Sequence, residues 1–210
     1  MSFFLSSACR CGYSTREIAP RLHNDAMTTH SEPRPPTPAP STSPSPCPPS
    51  SPSWTVCPEP FTTVDATRLR RAYYAEVAGR YWKRGVTEAE IDQGLLDFPD
   101  DGLAPPTGQF VVGRLGGEAL ACGGVRMLDA MTAELTRVYV DRRARGTGGG
   151  AALLRALEAQ SRALGAERIR LDTRSDLVEA RALYARHGYT EIPAYNSGPY
   201  AEHWFEKVLG

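Results

Sequence analysis

Residues 54–210 predict an α/β protein, a mixed α+β sheet in one domain, and three observations carry that expectation. Apolar residues recur with period two in some segments and period three to four in others, so strand and helix signals are interleaved along the chain. One strand, Thr132 to Val140, runs into a basic, glycine-rich loop that opens a helix. A strand–helix pair and two closing strands follow, with no internal repeat.

Each element has its own local reason. Trp54 to Val56 reads as a short opening strand. Val64 to Arg80 reads as a helix, because Leu69, Tyr73 and Val77 recur at every fourth position. Thr87 opens a second helix, with Glu90 placed to complete a capping box, and the Phe98-Pro99 step ends it. Gln109 to Leu115 and Glu118 to Leu128 predict a hairpin around Gly116-Gly117. Thr132 to Val140 is the next strand. A helix from about Gly148 to Leu164 stops at Gly165, a residue that accepts the left-handed backbone found after helices. Arg168 to Asp172 alternates, with Ile169 and Leu171 inward. Asp176 is expected to cap a last helix with Glu179 at its third position, and Gly188 to stop it. Tyr189 to Ile192 and His203 to Val208 are the final strands.

Ahead of this domain lies a different kind of sequence. Residues 31–53 hold ten prolines and seven serines, with Ala39 and Cys47 as their apolar residues. Such a stretch buries too little surface to offset its ordering entropy, so residues 1–53 are expected to be a disordered tail. Met27 opens Met-Thr-Thr-His and is a second candidate start, which would make residues 1–26 an over-extended reading frame. The segment Met1 to Ala8 lacks the basic flank and apolar length of a secretory signal.

Composition excludes several functions. Lys and Arg total 24, Asp and Glu 24, which leaves no electrostatic footprint for sequence-independent binding to nucleic acid or to an anionic membrane. No stretch approaches the roughly 18 to 20 apolar residues of a membrane span. Five cysteines are an odd number, and Cys9-x-Cys11 lacks a second pair at zinc spacing, so no metal is expected and a cytoplasmic, reduced protein is.

The chemistry concentrates in Leu135 to Gly150. Gly146, Gly148, Gly149 and Gly150 let the backbone turn tightly and approach a ligand, the first amides of the following helix are unpaired, and Arg143 and Arg145 add positive charge. That combination suits a diphosphate. The loop ends Gly-Gly-Ala instead of the Gly-Lys-Ser/Thr of a nucleoside triphosphate site. Gly146-x-Gly148-x-x-Ala151 fits a dinucleotide fingerprint, but Asp141 to Arg145 separates strand from glycine, where a dinucleotide turn has no such spacer.

Arg143-Ala144-Arg145-Gly146-Thr147-Gly148, with Val138-Tyr139-Val140 before it and Leu183-Tyr184-Ala185-Arg186-His187-Gly188-Tyr189 after it, resembles the cofactor motif of the GNAT superfamily of acyl-CoA N-acyltransferases. The resemblance covers residues 54–210, including the closing His203-Trp204-Phe205-Glu206-Lys207. It implies a central, mostly antiparallel sheet whose fourth and fifth strands run parallel and splay apart at a bulge, flanked by helices. The sequence carries a trace of that bulge: Leu135 is odd in register while Val138 and Val140 are even, as an inserted residue between them, or exposure at a sheet edge, would cause.

By the same resemblance the co-substrate is acetyl-CoA, with no metal. Backbone groups of Val138, Tyr139 and Val140 would meet its pantetheine arm, and Arg143, Arg145, Gly146, Thr147, Gly148, Gly149 and Gly150 its diphosphate. Tyr184 matches the tyrosine that protonates the departing thiolate, and Glu134, on the bulged strand, is the first candidate for the base, with Glu202 and His203 behind it. The family's asparagine seven positions before that tyrosine is Leu177 here. The acceptor is expected to be a primary amine of a small molecule or peptide, attacking directly in a ternary complex. Tyr73, Tyr74, Tyr81 and Trp82, with Tyr195, Asn196, Tyr200 and His203, supply rings and hydroxyls for its pocket or for the core. Asp97, Asp100 and Asp101 could attract a cation, but read better as a solvated loop. The resemblance allows a homodimer. A non-catalytic acyl-CoA-binding or sensing module is the alternative, against which Tyr184 argues.

Overall fold

The computed structural model describes residues 53–210, apart from the side chain of Asp101; the expectations for the tail fall outside these residues, save for Ser53. The described elements are β1 (Trp54–Pro58), α1 (Val64–Trp82), α2 (Glu88–Asp97), β2 (Gly108–Leu115), β3 (Glu118–Met127), β4 (Thr132–Val140), α3 (Gly149–Ala163), β5 (Arg168–Thr173), α4 (Val178–Arg186), β6 (Thr190–Ile192) and β7 (His203–Val208). Among the described residues the strands form one seven-stranded sheet in the order β1-β2-β3-β4-β5-β7-β6. Neighbours are antiparallel except β4 and β5, which are parallel.

Local chemistry accounts for most boundaries. Thr63 caps α1 through its hydroxyl, which accepts from the Ala66 amide at 3.3 Å, and Lys83 ends it in the left-handed region at φ 54°. Thr87 and Glu90 form the expected capping box of α2. Gly165 and Gly188 take φ 94° and 79° just beyond α3 and α4. The start of α4 differs from expectation. Its N-cap is Leu177, not Asp176, and no side chain caps it. Both Asp176 carboxylate oxygens are instead held by the buried Arg174, at 2.8 and 2.9 Å, so an ion pair diverts the capping group.

α3 and α4 cover one face of the sheet, where Leu153, Leu154, Leu157 and Tyr184 meet Val111, Val125, Ile169, Leu171 and Phe205. α1 covers part of the other, where Ala66 and Leu69 meet Phe110, Val112 and Cys122. α2 lies against α1: the Tyr74 ring sits over Gly94 so closely that a Cβ there would come within 1.8 Å of it.

Two departures from regular pairing shape the centre. β4 and β5 are paired over Thr132–Glu134 against Arg168–Arg170, and past that point they part. In the same strand Arg137 and Val138 lie opposite the single residue Gly123 of β3, with Arg137 at φ 57°. This is the bulge anticipated from the parity of the sequence. Because of it Ala133, Leu135, Val138 and Val140 all meet the core on the α3 side.

Candidate active site

Past the bulge, the Asp141 amide donates to Leu120 of β3 at 2.8 Å. Backbone groups alternate sides along a strand. Tyr139 therefore turns its own toward β3, while Val138 and Val140 turn theirs toward the space β5 has left. Of the three residues expected at the pantetheine arm, Val138 presents free strand edge, Val140 presents its amide while its carbonyl accepts from Arg145 Nε, and Tyr139 faces β3.

The loop after β4 delivers the amides expected of it. Gly146 and Gly148 adopt φ 79° and 91°, which side-chain-bearing residues resist. The first α-helical bond of α3 runs from Ala152 to Gly148, so the amides of Gly149, Gly150 and Ala151 have no partner within the helix, and no side chain caps it. Gly149 and Gly150 are small for packing reasons. A Cβ on Gly149 would lie 2.5 Å from the Trp54 ring, and one on Gly150 2.9 Å from Leu183. The Trp54 indole also donates to the Thr147 carbonyl at 3.1 Å and to its hydroxyl at 3.0 Å. A residue of β1, which the sequence did not connect to the loop, thus braces it from below.

The two loop arginines are already held by carboxylates. Arg145 makes a forked pair with Glu76 of α1, at 2.7 and 2.8 Å, and donates from Nε to the Val140 carbonyl at 3.0 Å. Arg143 pairs with Asp141 at 3.1 Å and Glu118 at 3.0 Å. Glu76 also gathers Arg142 at 3.3 Å, which ties α1 to the loop.

The bulge has its own clamp. Arg137 Nε donates to Asp100 Oδ1 at 2.9 Å, its terminal nitrogen to the Phe98 carbonyl at 2.8 Å, and its guanidinium stands 5.9 Å from the Tyr73 ring centre. Asp100 is fully buried, and its second oxygen lies 2.5 Å from Arg70 Nε of α1, a contact of charges more than an aligned hydrogen bond. The expectation of a solvated acidic loop fails at Asp100, because two guanidinium groups converge on it. A cavity of about 240 Å³ opens beside the clamp, lined in part by Phe98, Leu103, Arg126, Thr136 and Arg137.

Tyr184 is 5 % exposed, its ring tilted against Tyr189 and Phe205 at 5.9 and 6.0 Å. Burial pushes its phenol pKa up, and neighbouring Tyr73 and Asp172 push it further. It stays protonated at neutral pH and is a weaker acid than a solvated tyrosine. Glu134 is buried on the opposite face from Leu135 and is engaged on both oxygens, by Arg126 at 2.5 Å and by the Tyr195 hydroxyl at 2.9 Å. Burial and the Glu134 charge raise the Tyr195 pKa. Of the other base candidates, His203 bridges Glu191 at 2.6 Å and Ser175 at 3.0 Å, while Glu202 accepts from the Ser175 amide at 2.6 Å.

The loop between β6 and β7 reaches α1, as Tyr200 packs edge-on against Tyr81 at 5.1 Å and near Phe98 at 6.2 Å. Sequence reasoning missed Trp54, Glu76, Asp100, Arg137 and Asp172 as parts of this region. For Asp172 a signal existed: with Ile169 and Leu171 inward, Arg170 and Asp172 must share the other face with Glu134.

Comparison with known proteins agrees with this geometry. An IAA acetyltransferase of Azospirillum brasilense is 32% identical over 107 residues, covering 50% of this chain and 67% of that protein. Among solved structures, a candidate acyl-CoA N-acyltransferase of Klebsiella pneumoniae superposes with TM-score 0.57 at 29% identity, over 75% of this chain and 98% of that one. A GNAT family acetyltransferase of Elizabethkingia anophelis, solved with acetyl-CoA bound, shares the fold at TM-score 0.52 and 16% identity, over 74% of this chain and 98% of that one. The model of the acetyltransferase (GNAT) family matches residues 69–189. Those residues run from α1 to the edge of β6 and contain the bulge, the loop and Tyr184, and the chain belongs to that family.

Proposed function

We propose that this protein is an N-acetyltransferase that transfers the acetyl group of acetyl-CoA to a primary amine of a small molecule or peptide, by direct attack in a ternary complex. The observation that carries the reading is the conjunction of a vacated β4 edge with an uncapped α3 N-terminus one short loop away. An extended amide-bearing arm ending in a diphosphate fits both: Val138 and the Val140 amide offer strand-like hydrogen bonds, the Val140 carbonyl being held by Arg145, and the amides of Gly149 and Gly150 face an anion. Acetyl-CoA supplies the activated thioester. Gly146 and Gly148 hold the loop open, while Thr147 and Trp54 keep it in place. Arg145 and Arg143 contribute positive potential at the loop, tempered by their carboxylate partners.

On the acceptor side, the ammonium must lose a proton before nitrogen can attack. We assign that proton to Glu134 by way of the Tyr195 hydroxyl, which already donates to it. Backbone amides at the bulge stabilise negative charge growing on the thioester oxygen, and Tyr184 gives its proton to the sulfur.

Calorimetric titration of acetyl-CoA into the full chain, with NAD and ATP as controls, tests this reading. Micromolar binding of acetyl-CoA alone, followed by amine-dependent thiol release, is the expected result. Absence of acetyl-CoA binding refutes it.

A further inference from the structure

Most carboxylates around the splay are matched to cations, and the exposed Glu202 accepts from the Ser175 amide. Glu134 has Arg126, Asp100 has Arg70 and Arg137, Asp176 has Arg174, and Glu206 has Arg170. Asp172 breaks the pattern. It accepts a hydrogen bond from Asn196 Nδ2 at 2.9 Å, and among the described residues no guanidinium or ammonium lies within ion-pair distance of it. Asn196 is itself fixed, its side-chain oxygen accepting from Trp204 Nε1 at 2.8 Å. One oxygen of Asp172 is therefore oriented by a two-residue relay from β7.

Its place is informative. Asp172 stands on β5 two residues past Arg170, the last residue paired with β4, and on the same face as Glu134. It remains open to solvent. Its charge is felt by three tyrosines from three different elements: Tyr73 of α1, Tyr184 of α4 and Tyr195 of the β6–β7 loop. The walls around it, above all, raise its own pKa; Asn196 opposes this, Glu134 adds to it, and the more distant Arg126 charge opposes it. A carboxylate with one oxygen oriented by Asn196, no ion-pair partner among the described residues and an open approach can receive a cation there.

We propose that the missing cation is the acceptor: Asp172 receives the acceptor's ammonium group as an ion pair at the mouth of the splay, so the protein selects aliphatic amines, protonated at neutral pH, over uncharged analogues of the same shape. This rests on the acetyltransferase reading and adds to it the residue that selects the substrate and the charge it selects. Glu134 is already paired with Arg126, so an arriving ammonium meets less uncompensated charge there than at Asp172.

The test uses full-length protein saturated with CoA, phenethylamine as the probe cation and phenethyl alcohol as its uncharged counterpart. Calorimetry is expected to show the amine binding to wild type at least tenfold more tightly than the alcohol. Asp172→Asn keeps the acceptor for Asn196 but removes the charge, and should weaken the amine at least tenfold while leaving the alcohol and CoA unchanged. Rescue by Asp172→Glu, which restores charge but not position, should be partial. Equal binding of the amine by wild type and Asp172→Asn overturns the proposal, as does wild-type binding of amine and alcohol alike, whether tight or absent. Loss of CoA binding in wild type would instead strike the underlying acetyltransferase reading, and is seen separately in the CoA titration.

Discussion

Replacing Asp100 by Asn tests the clamp that holds the bulge. The Asp100 side chain is 0% exposed, and its partners Arg70 and Arg137 are 12% and 18% exposed, so solvent screens the triad little. Removing the carboxylate leaves two guanidinium groups facing each other with no counter-charge. Breaking a buried ionic arrangement in this way costs about 3 to 5 kcal/mol, and Asn, which keeps one hydrogen-bond acceptor, should fall near 3. For a domain whose total stability is of order 5 to 15 kcal/mol, the variant folds but is visibly weakened. With a urea dependence of about 2 kcal/mol/M, the midpoint should drop by roughly 1.5 M. Urea denaturation followed by tryptophan fluorescence reads this directly, since Trp54 and Trp204 are both anchored in the fold by hydrogen bonds. Arg137→Gly is the companion variant. Glycine accepts φ 57° without strain, and Asp100 keeps Arg70, so the loss of stability should be smaller while turnover falls more than acetyl-CoA affinity. A loss below about 1 kcal/mol in Asp100→Asn would refute the argument that this carboxylate is the counter-charge on which the bulge depends.

Other outcomes follow from the same geometry. Tyr184→Phe should keep acetyl-CoA affinity but lower kcat about 100-fold or more, as expected for loss of a proton donor; unchanged turnover would leave Tyr184 a core residue alone. Gly149→Ala drives a methyl group into the Trp54 ring and should destabilise the fold by about 1 to 3 kcal/mol, with weakened acetyl-CoA binding because the loop above must move; thermal denaturation and calorimetry check the two parts. The Glu90 carboxyl is held down at about 2, first by Arg84 and then by the Thr87 amide. A carboxyl with a depressed folded pKa stabilises above its unfolded value and loses that contribution as pH falls, so Glu90→Gln should flatten the stability profile between about pH 4.5 and 2. Parallel acid profiles in wild type and variant would contradict this.

What could be read from the residues alone is what a few neighbours decide among themselves. The Thr87–Glu90 box, the glycines at 165 and 188, the turn at Gly116-Gly117 and the alternation of β5 each lie within a handful of positions, and the elements appear in the expected order. Even the bulge left its mark, since a residue inserted in a strand must invert the apolar parity that follows it. The loop glycines led to the expectation of an anion site because positive φ and open amides are properties of the local chain. Tertiary structure decided who pairs with whom. Asp176 looks like a helix cap until Arg174 takes both its oxygens. Asp100 looks solvated until Arg70 and Arg137 arrive from elements tens of residues away. Trp54 lies 93 residues from the loop it braces. Asp172 gains meaning only once β4 and β5 part beside it and Glu134, Asp176 and Glu206 have found their arginines. Capping and periodicity are short-range and written in order along the chain. Charge pairing and burial depend on which surfaces the fold brings together, and the same aspartate is a cap, a buried counter-ion or an open site according to what is packed against it.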